Sequence, residues 1–263
     1  VTDTYIEKDA QVNEEIDRLR HASTQALLTR KDVIIVASVS CIYGLGNPEE
    51  YAKVNLHTKK GQAIIRNQFL RQLISMFYER TNADLVPGKF RATGNAIEIM
   101  PISERVVYRL EIVAGKISEI QKIDFVSRKI LDKPKDFFLF PAKHFVTPDD
   151  QKDRAVKDIK AELKTRLSYF KKEKLLLEAE RIKRRTTYDL AMIKEIGYCS
   201  GIENYSRHFS GKSAGDPPDT LLSYFPHKAD GSPDFLTIID ESHVTVPQIR
   251  GMYEGDRARK NTL

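Results

Sequence analysis

A chain of 263 residues is long enough to bury more than one core, and its 41% hydrophobic and 30% charged residues exclude a membrane-embedded or disordered chain. A formal net charge of +6 leans toward acidic partners such as nucleic acid without establishing one. The two cysteines, Cys41 and Cys199, stand far apart with no Cys or His at ligand spacing, which excludes a disulfide framework and fits a reducing cytoplasm. The longest apolar stretch, Val33 to Val39, is too short to cross a membrane and no signal peptide is visible, so no membrane partner is expected.

The chain opens "VTDTYIEKDA", without an initiator Met and inside a polar–aromatic pattern, and is expected to be a piece of a longer polypeptide. Tyr5 and Ile6 stand among Asp3, Glu7, Lys8 and Asp9, as in an exposed hairpin arm. From Asn13 to Thr29, Ile16, Leu19, Ala22 (or Ser23), Ala26 and Leu27 recur at helical spacing. "KDVIIVASVSCIYGLG" follows, and its β-branched run Val33–Val36 predicts a central strand of a parallel sheet, buried on both faces. The loop after such a strand is where α/β proteins place ligands.

Between about Val54 and Val146 the pattern changes to a helix and then short antiparallel strands, a small α+β insert. In "KFRATGNAIEI", Phe90 and Ala92 precede a Gly-Asn turn and Ile97 and Ile99 follow it, which predicts a hairpin. In "VVYRLEIVAGKISEI", Tyr108, Leu110 and Ile112 point one way and Arg109 and Glu111 the other. Arg91, Arg109 and Glu111 on rigid strands suit a docking surface, although exposed strand charges commonly do no more than solubilise.

After "FPAKHFVTPDD", Thr147 or Asp149 can cap a helix with Pro148 in its first turn. Ala155, Ile159, Leu163, Leu167 and Phe170 form its apolar stripe. The charged segment "KKEKLLLEAERIKRR", read as a solvated face, continues into a stripe of Tyr188, Met192 and Ile196 and stops at Gly197. "GYCSGIENYSRH" has no amphipathic period. Its small residues would let a phosphate backbone approach, Arg207 and His208 could contact it, and Tyr205 could stack on a base or plug a core.

"FLTIIDESH" closes the pattern: a second buried strand, Phe235–Ile239, ends on adjacent carboxylates. An Asp there can hold hydrated magnesium beside nucleotide phosphates, and the next Glu can orient or deprotonate the attacking water. Asp240, Glu241 and His243 are the catalytic candidates, against the plainer alternative of acids favoured at a helix N-terminus. No Gly-Lys-Ser/Thr phosphate loop accompanies them: "GLGNPEE" lacks the lysine, and "HTKKGQ" has the order wrong and no preceding strand.

"TDTYIEKDA", "DVIIVASVSCIYGLG", "FPAKHFVT", "GYCSGIENYSRH" and "IIDESHVTVPQIRGMYEGDRARK", in this order and spacing, resemble the UvrB family along essentially the whole chain. UvrB is the helicase-like subunit of bacterial nucleotide excision repair that verifies damage after receiving DNA from UvrA. The resemblance implies an α/β fold, part of a P-loop, RecA-like motor domain with an inserted α+β UvrA-binding domain and a helical and β-hairpin excursion. It implies that the family's phosphate loop precedes Val1 and its second motor domain follows Leu263. It divides the chain into the second strand of a DNA-clamping β-hairpin (1–12), motor domain (13–53), UvrA-binding insert (54–146), motor-domain helices (147–196), a DNA-path region (197–230) and motor domain resumed (231–263).

By the same resemblance, Asp240 and Glu241 match the magnesium and water-activating acids, with Asp240 meeting Mg2+ through water in the complete protein. Tyr5, Ile6, Glu7 and Lys8 match the returning hairpin strand, and Asn204, Tyr205, Arg207 and His208 a region near the DNA path. Arg80, Arg91, Arg109 and Glu111 match positions that contact UvrA. Where the family commonly reads Phe-Arg-Val-Arg-Gly, this chain has "FRATG", so Thr93 replaces an arginine and one charged contact is missing. The implied partners are UvrA, damaged DNA and, in the full complex, UvrC, and the implied cofactors of the full-length protein are ATP and Mg2+. The polypeptide by itself is expected to be inactive, with no cofactor. Two rival assignments are the UvrA-docking module of a transcription–repair coupling factor and a non-catalytic scaffold.

Overall fold

The computed structural model describes residues 14–146, 149–213 and 215–262. The hairpin-strand candidates Tyr5, Ile6, Glu7 and Lys8 and the capping candidates Thr147 and Pro148 lie outside the described residues. In chain order the elements are α1 (Glu14–Thr29), α2 (Pro48–Lys53), β1 (Leu56–Lys59), α3 (Arg66–Ser75), β2 (Glu79–Arg80), β3 (Lys89–Thr93), β4 (Ala96–Met100), β5 (Val106–Val113), β6 (Lys116–Asp124), β7 (Ile130–Asp132) and β8 (Asp136–Leu139). Three longer helices follow, α4 (Asp149–Lys172), α5 (Leu176–Ile196) and α7 (Ser242–Thr262), with the short α6 (Ser206–Ser210) after α5. The chain is a mixed α/β protein that divides into two compact units. One holds the described residues up to Ile35 together with Asn55–Lys143, and the other holds Val36–Val54 and the described residues from His144 onward.

The first unit is built on a six-stranded sheet in the order β2-β3-β4-β5-β6-β7, parallel between β2 and β3 and antiparallel elsewhere. Tight turns set its register. Gly94, at φ +53, and Asn95 close β3 on β4 and oppose Arg91 to Glu98, while Ala114 (φ +49) and Gly115 (φ +72) close β5 on β6. Because strand side chains alternate, Phe90, Ile97, Ile99, Tyr108, Leu110 and Ile120 fall on one face and are buried. Phe69 and Leu73 of α3 and the β1–β8 pair supply further buried apolar residues, and the Tyr108 ring stacks on Phe137 at 4.5 Å. The opposite face carries a small apolar cluster, Leu85, Met100, Val107 and Ile123, and beside it the charged row that begins at Arg91.

The helix expected from Asn13 to Thr29 forms from Glu14, but its apolar stripe is not what it buries. Ile16 and Leu19 are exposed, and His21 and Thr24 are buried. Polar contacts decide the rotation of α1: Arg18 donates to the Ser103 carbonyl at 3.3 Å, and Arg105 donates to Glu15 at 2.7 Å. Arg18 and Arg105 hold the Glu15 carboxyl down at about 2, the Arg18 hydrogen bond contributing most. Burial, reinforced by the Arg20 and Lys143 charges, pushes His21 down to about 3 and keeps it neutral.

In the second unit, Asn47 caps α2 through its side chain, accepting from the Glu49 and Glu50 amides at 2.8 and 3.2 Å, with Pro48 in the first turn. Tyr51 of α2 is fully buried and stacks on His144, while the Tyr224 hydroxyl donates to the Gly46 carbonyl at 3.0 Å. Gly46 is required by a close approach, since a Cβ there would lie 2.4 Å from the His144 carbonyl oxygen. Helices α4 and α5 are joined by a turn with Lys174 at φ +61, so they run back along one another as a helical hairpin. Ala155, Val156, Ile159, Leu190, Ile193, Cys199, Ile202 and Phe209 form their core.

The stripe predicted for α5 is rotated in the structure. Tyr188 and Ile196 are exposed, Met192 packs partly buried against the core, and the buried side chains are Ala179, Thr186, Asp189, Leu190 and Ile193. The apolar period misled because the buried face includes a carboxylate. Gly197 ends α5 as expected, in the left-handed region at φ +76, its amide donating to the Ile193 carbonyl at 3.0 Å.

The largest departure concerns the two expected parallel strands. Val33–Val36 and Phe235–Ile239 form no strand and join no ladder among the described residues, and they are not buried: Ile34 is 94% exposed and Ile238 83%. A parallel strand is held by hydrogen bonds on both edges and helices on both faces, and neither segment finds them among the described residues. Both cysteines are free, and burial pushes the Cys199 thiol up to about 12. No helix among the described residues is long and apolar enough to cross a membrane.

Candidate functional site

The sequence candidates fall on three surfaces. The first is the charged face of the six-stranded sheet. Cross-strand register places Arg91, Glu98, Arg109 and Gln121 in one row and Thr93, Ala96, Glu111 and Glu119 in the next. Arg91 Nε donates to Glu98 Oε2 at 3.2 Å, and Arg109 Nε donates to Glu111 Oε1 at 2.7 Å with its Nη1 lying 4.0 Å from Glu98 Oε1. Glu98 is buried and charged: burial would raise its carboxyl, but the hydrogen bond from Arg91 and the charges of Arg128, Arg91 and Arg109 outweigh that and lower it. Arg91 and Arg109 are half-buried, so each keeps donors facing solvent. Arg80 is exposed on β2 at the sheet edge, and Thr93 is exposed where an arginine could reach Glu111. The sequence therefore brought Arg91, Arg109 and Glu111 together correctly. It missed Glu98, which the Gly94-Asn95 turn already sets opposite Arg91.

The second surface is the segment after α5. Asn204 is exposed, its Nδ2 donating to the Gly201 carbonyl at 3.0 Å, while Tyr205 and His208 are largely buried and Arg207 pairs with the exposed Glu162 at the surface. The Tyr205 hydroxyl donates to buried Asp189 Oδ2 at 2.7 Å, and the Tyr205 ring packs against the helical core. Burial and that carboxylate raise the Tyr205 hydroxyl well above its ordinary value. Arg207 and His208 converge on Glu162 of α4, His208 Nε2 lying 2.7 Å from Glu162 Oε2. The His208 hydrogen bond and the Arg207 charge hold the Glu162 carboxyl below its ordinary value. Of the two roles open to Tyr205, the core plug is the one its contacts describe. Beside this segment lies a cleft of about 360 Å³, lined in part by Asn47, Arg154, Ser206, Ser210 and Asp219.

The third surface is the acidic pair. Asp240 and Glu241 are exposed immediately before α7, and His243 Nδ1 is 3.4 Å from Glu241 Oε2. Asp240 Oδ1 accepts from the Glu241 amide at 2.9 Å, and the Glu241 carbonyl accepts from the Val244 and Thr245 amides. Glu241 sits in the left-handed region at φ +46, a strained setting for a residue with a Cβ. Hard divalent cations take carboxylate oxygens, the donor type that Asp240 and Glu241 expose here.

Comparison with known proteins assigns residues 56–145 to the UvrB interaction domain and residues 150–211 to the UvrB third helical domain. The chain is 52% identical over 264 residues to UvrABC system protein B of Carboxydothermus hydrogenoformans, covering 100% of this chain and 39% of that protein. It is 53% identical over 262 residues to the protein of that name from Synechococcus sp. strain JA-2-3B'a(2-13), covering 100% and 37%. With the protein of that name from Methanosphaera stadtmanae it shares 51% over 262 residues, covering 100% and 39%. The chain thus spans less than two fifths of the length of these curated relatives.

Proposed function

Because the chain belongs to the UvrB family, we propose that it serves nucleotide excision repair in the cytoplasm as part of the damage-verifying subunit. In that role it docks UvrA through its insert, borders the path of damaged DNA and carries the acidic half of an ATPase site, with UvrC joining the full complex. The observation that carries this proposal is the arginine–carboxylate row Arg91–Glu98–Arg109 with Glu111, set on rigid strands within residues that match the UvrB interaction domain. Arg80 extends that face at the sheet edge.

In the complete protein Val33–Val36 and Phe235–Ile239 would become strands of a RecA-like motor sheet. Their exposed apolar side chains supply the surface such strands would bury. In the complete protein Asp240 and Glu241 would then stand at a strand end, where Asp240 would help to hold Mg2+ and Glu241 would orient the attacking water. The bound metal would neutralise phosphate charge. Within this chain, His243 stands within reach of Glu241 Oε2 and can steady that carboxylate. Asn204, Tyr205, Arg207 and His208 shape the ground beside the DNA path, where the buried contacts of Tyr205 and His208 favour support of the surface and Arg207 stays at the surface in its pair with Glu162.

Two substitutions in the complete protein test the two halves separately. Arg109→Gln should weaken UvrA binding by about 2 kcal/mol or more and leave ATP turnover alone. Glu241→Gln should leave ATP binding intact and lower turnover by at least about a hundredfold. Normal UvrA affinity in the first variant would move the interface elsewhere, and normal turnover in the second would reduce the acids to a helix start.

A further inference from the structure

Arg128 lies on the turn between β6 and β7, far from the docking candidates in sequence, yet its Nη2 donates to Glu98 Oε1 at 2.8 Å. The turn is built to put it there. Asp124 Oδ1 accepts from both the amide and the hydroxyl of Ser127 at 2.7 Å, and the Arg128 amide donates to the Asp124 carbonyl at 3.0 Å. Arg128 itself is held at φ +57, a conformation that residues with a Cβ rarely adopt.

Glu98 therefore sits beneath three guanidinium groups drawn from three different strands or turns. Its side chain is 9% exposed, while those of Arg91, Arg109 and Arg128 are 36%, 40% and 43% exposed. One carboxylate offers about four lone-pair sites and each guanidinium about five N–H donors, so most donors remain unused. Those of Arg91 and Arg109 border an open cavity of about 420 Å³ that Asn82, Thr93, Ala96 and Glu98 also line. With Glu119 beside Glu111 and Lys133 paired to Glu119 at 2.9 Å, the three arginines and that lysine face three acids, so the array keeps a small positive surplus. The acids inside the array disfavour a continuous phosphate backbone and suit a protein surface whose carboxylates alternate with donors.

We propose that Glu98 is the positioning residue of this face and Arg128 its third arginine, and that the array receives carboxylate side chains of an acidic protein surface. This rests on the UvrA-docking role proposed above. Glu98 fixes the three planar groups in one fan, so that binding does not have to order three long side chains. Residues 98 and 128 are thus part of the recognition surface although neither stood out in the sequence.

The test measures UvrA binding by the complete protein carrying Arg91→Gln, Arg128→Gln, Glu98→Gln, or the last two together. Arg91→Gln and Arg128→Gln should each weaken binding about tenfold. Glu98→Gln should weaken it comparably even though it makes the face more positive, a change that would tighten binding if net charge alone mattered. The double variant should be weaker than Arg128→Gln by much less than the product of the two single effects, because both changes dismantle one array. Thermal unfolding of each variant checks the fold, and Arg128→Gln, an exposed change, keeps the test decisive if Glu98→Gln unfolds. Normal binding by all four variants would refute the docking role itself. A loss confined to Arg91→Gln would overturn the present proposal while leaving that role standing. Loss of DNA binding in Arg128→Gln and Glu98→Gln with UvrA binding intact would overturn it in favour of nucleic acid.

Discussion

Replacing Tyr205 with Phe removes one oxygen atom from the helical unit and keeps the ring. That oxygen donates to Asp189 Oδ2 at 2.7 Å, and the Asp189 side chain is 7% exposed, so the carboxylate cannot turn to water for a substitute. The neighbouring cation is Arg185, whose Nε lies 3.6 Å away and whose side chain is half exposed. A hydrogen bond to a charged acceptor contributes about 1.5–3 kcal/mol, and leaving the buried acceptor short of a donor falls at the upper end of that range. Tyr205→Phe should therefore destabilise the unit by about 2–3 kcal/mol in urea unfolding followed by far-UV circular dichroism. Combining it with Asp189→Asn should recover part of the loss, because the acceptor then carries no charge. DNA affinity separates the two roles of the ring: a ring stacked on a base survives Tyr205→Phe unchanged, whereas a ring that props the surface loses affinity in step with stability. A loss of stability under about 0.5 kcal/mol would refute the reasoning that this buried pair holds the segment after α5 in place.

Thr93→Arg should strengthen UvrA binding a few-fold, about 0.5–1 kcal/mol, because position 93 neighbours the Ala96–Glu111 pair on the face proposed to dock UvrA; unchanged affinity in a titration would show that the missing arginine is not a missing contact. Thr58 is fully buried in β1 with its hydroxyl unpartnered, so Thr58→Val should stabilise the first unit by about 1 kcal/mol in thermal unfolding, and a destabilised variant would reveal a partner for that hydroxyl. His21 is neutral in the folded unit because burial lowers it to about 3, below its ordinary value near 6.5, so the unfolded chain binds the extra proton between these values. Its contribution is fully present above pH 6.5 and is lost as pH falls toward 3, up to about 4–5 kcal/mol. Urea midpoints measured across that window should fall less steeply in His21→Gln, and parallel slopes would place the acid sensitivity on Glu15 and Glu98 instead.

The sequence by itself determined the local geometry of the insert and the placement of Arg91, Arg109 and Glu111 on one face. The Gly94-Asn95 turn fixes which residues of β3 and β4 oppose one another, and strand alternation then sorts Tyr108 and Leu110 from Arg109 and Glu111, because both rules act over a few residues. The helix stop at Gly197 was legible for the same reason, since a left-handed C-cap needs a residue without a Cβ. Tertiary structure alone decided which face of a helix turns inward when polar partners compete with apolar period. On α1, Arg18 and Glu15 find Ser103 and Arg105 and leave Ile16 and Leu19 exposed, and on α5 the Tyr205 hydroxyl draws Asp189 into the core. It also decided that Arg128 meets Glu98, a pairing across 30 residues that depends on how β6 lies beside β5 and β5 beside β4. For Val33–Val36 and Phe235–Ile239, apolar content marked a capacity to be a buried strand, but a strand exists only where neighbours complete its ladder and cover its faces.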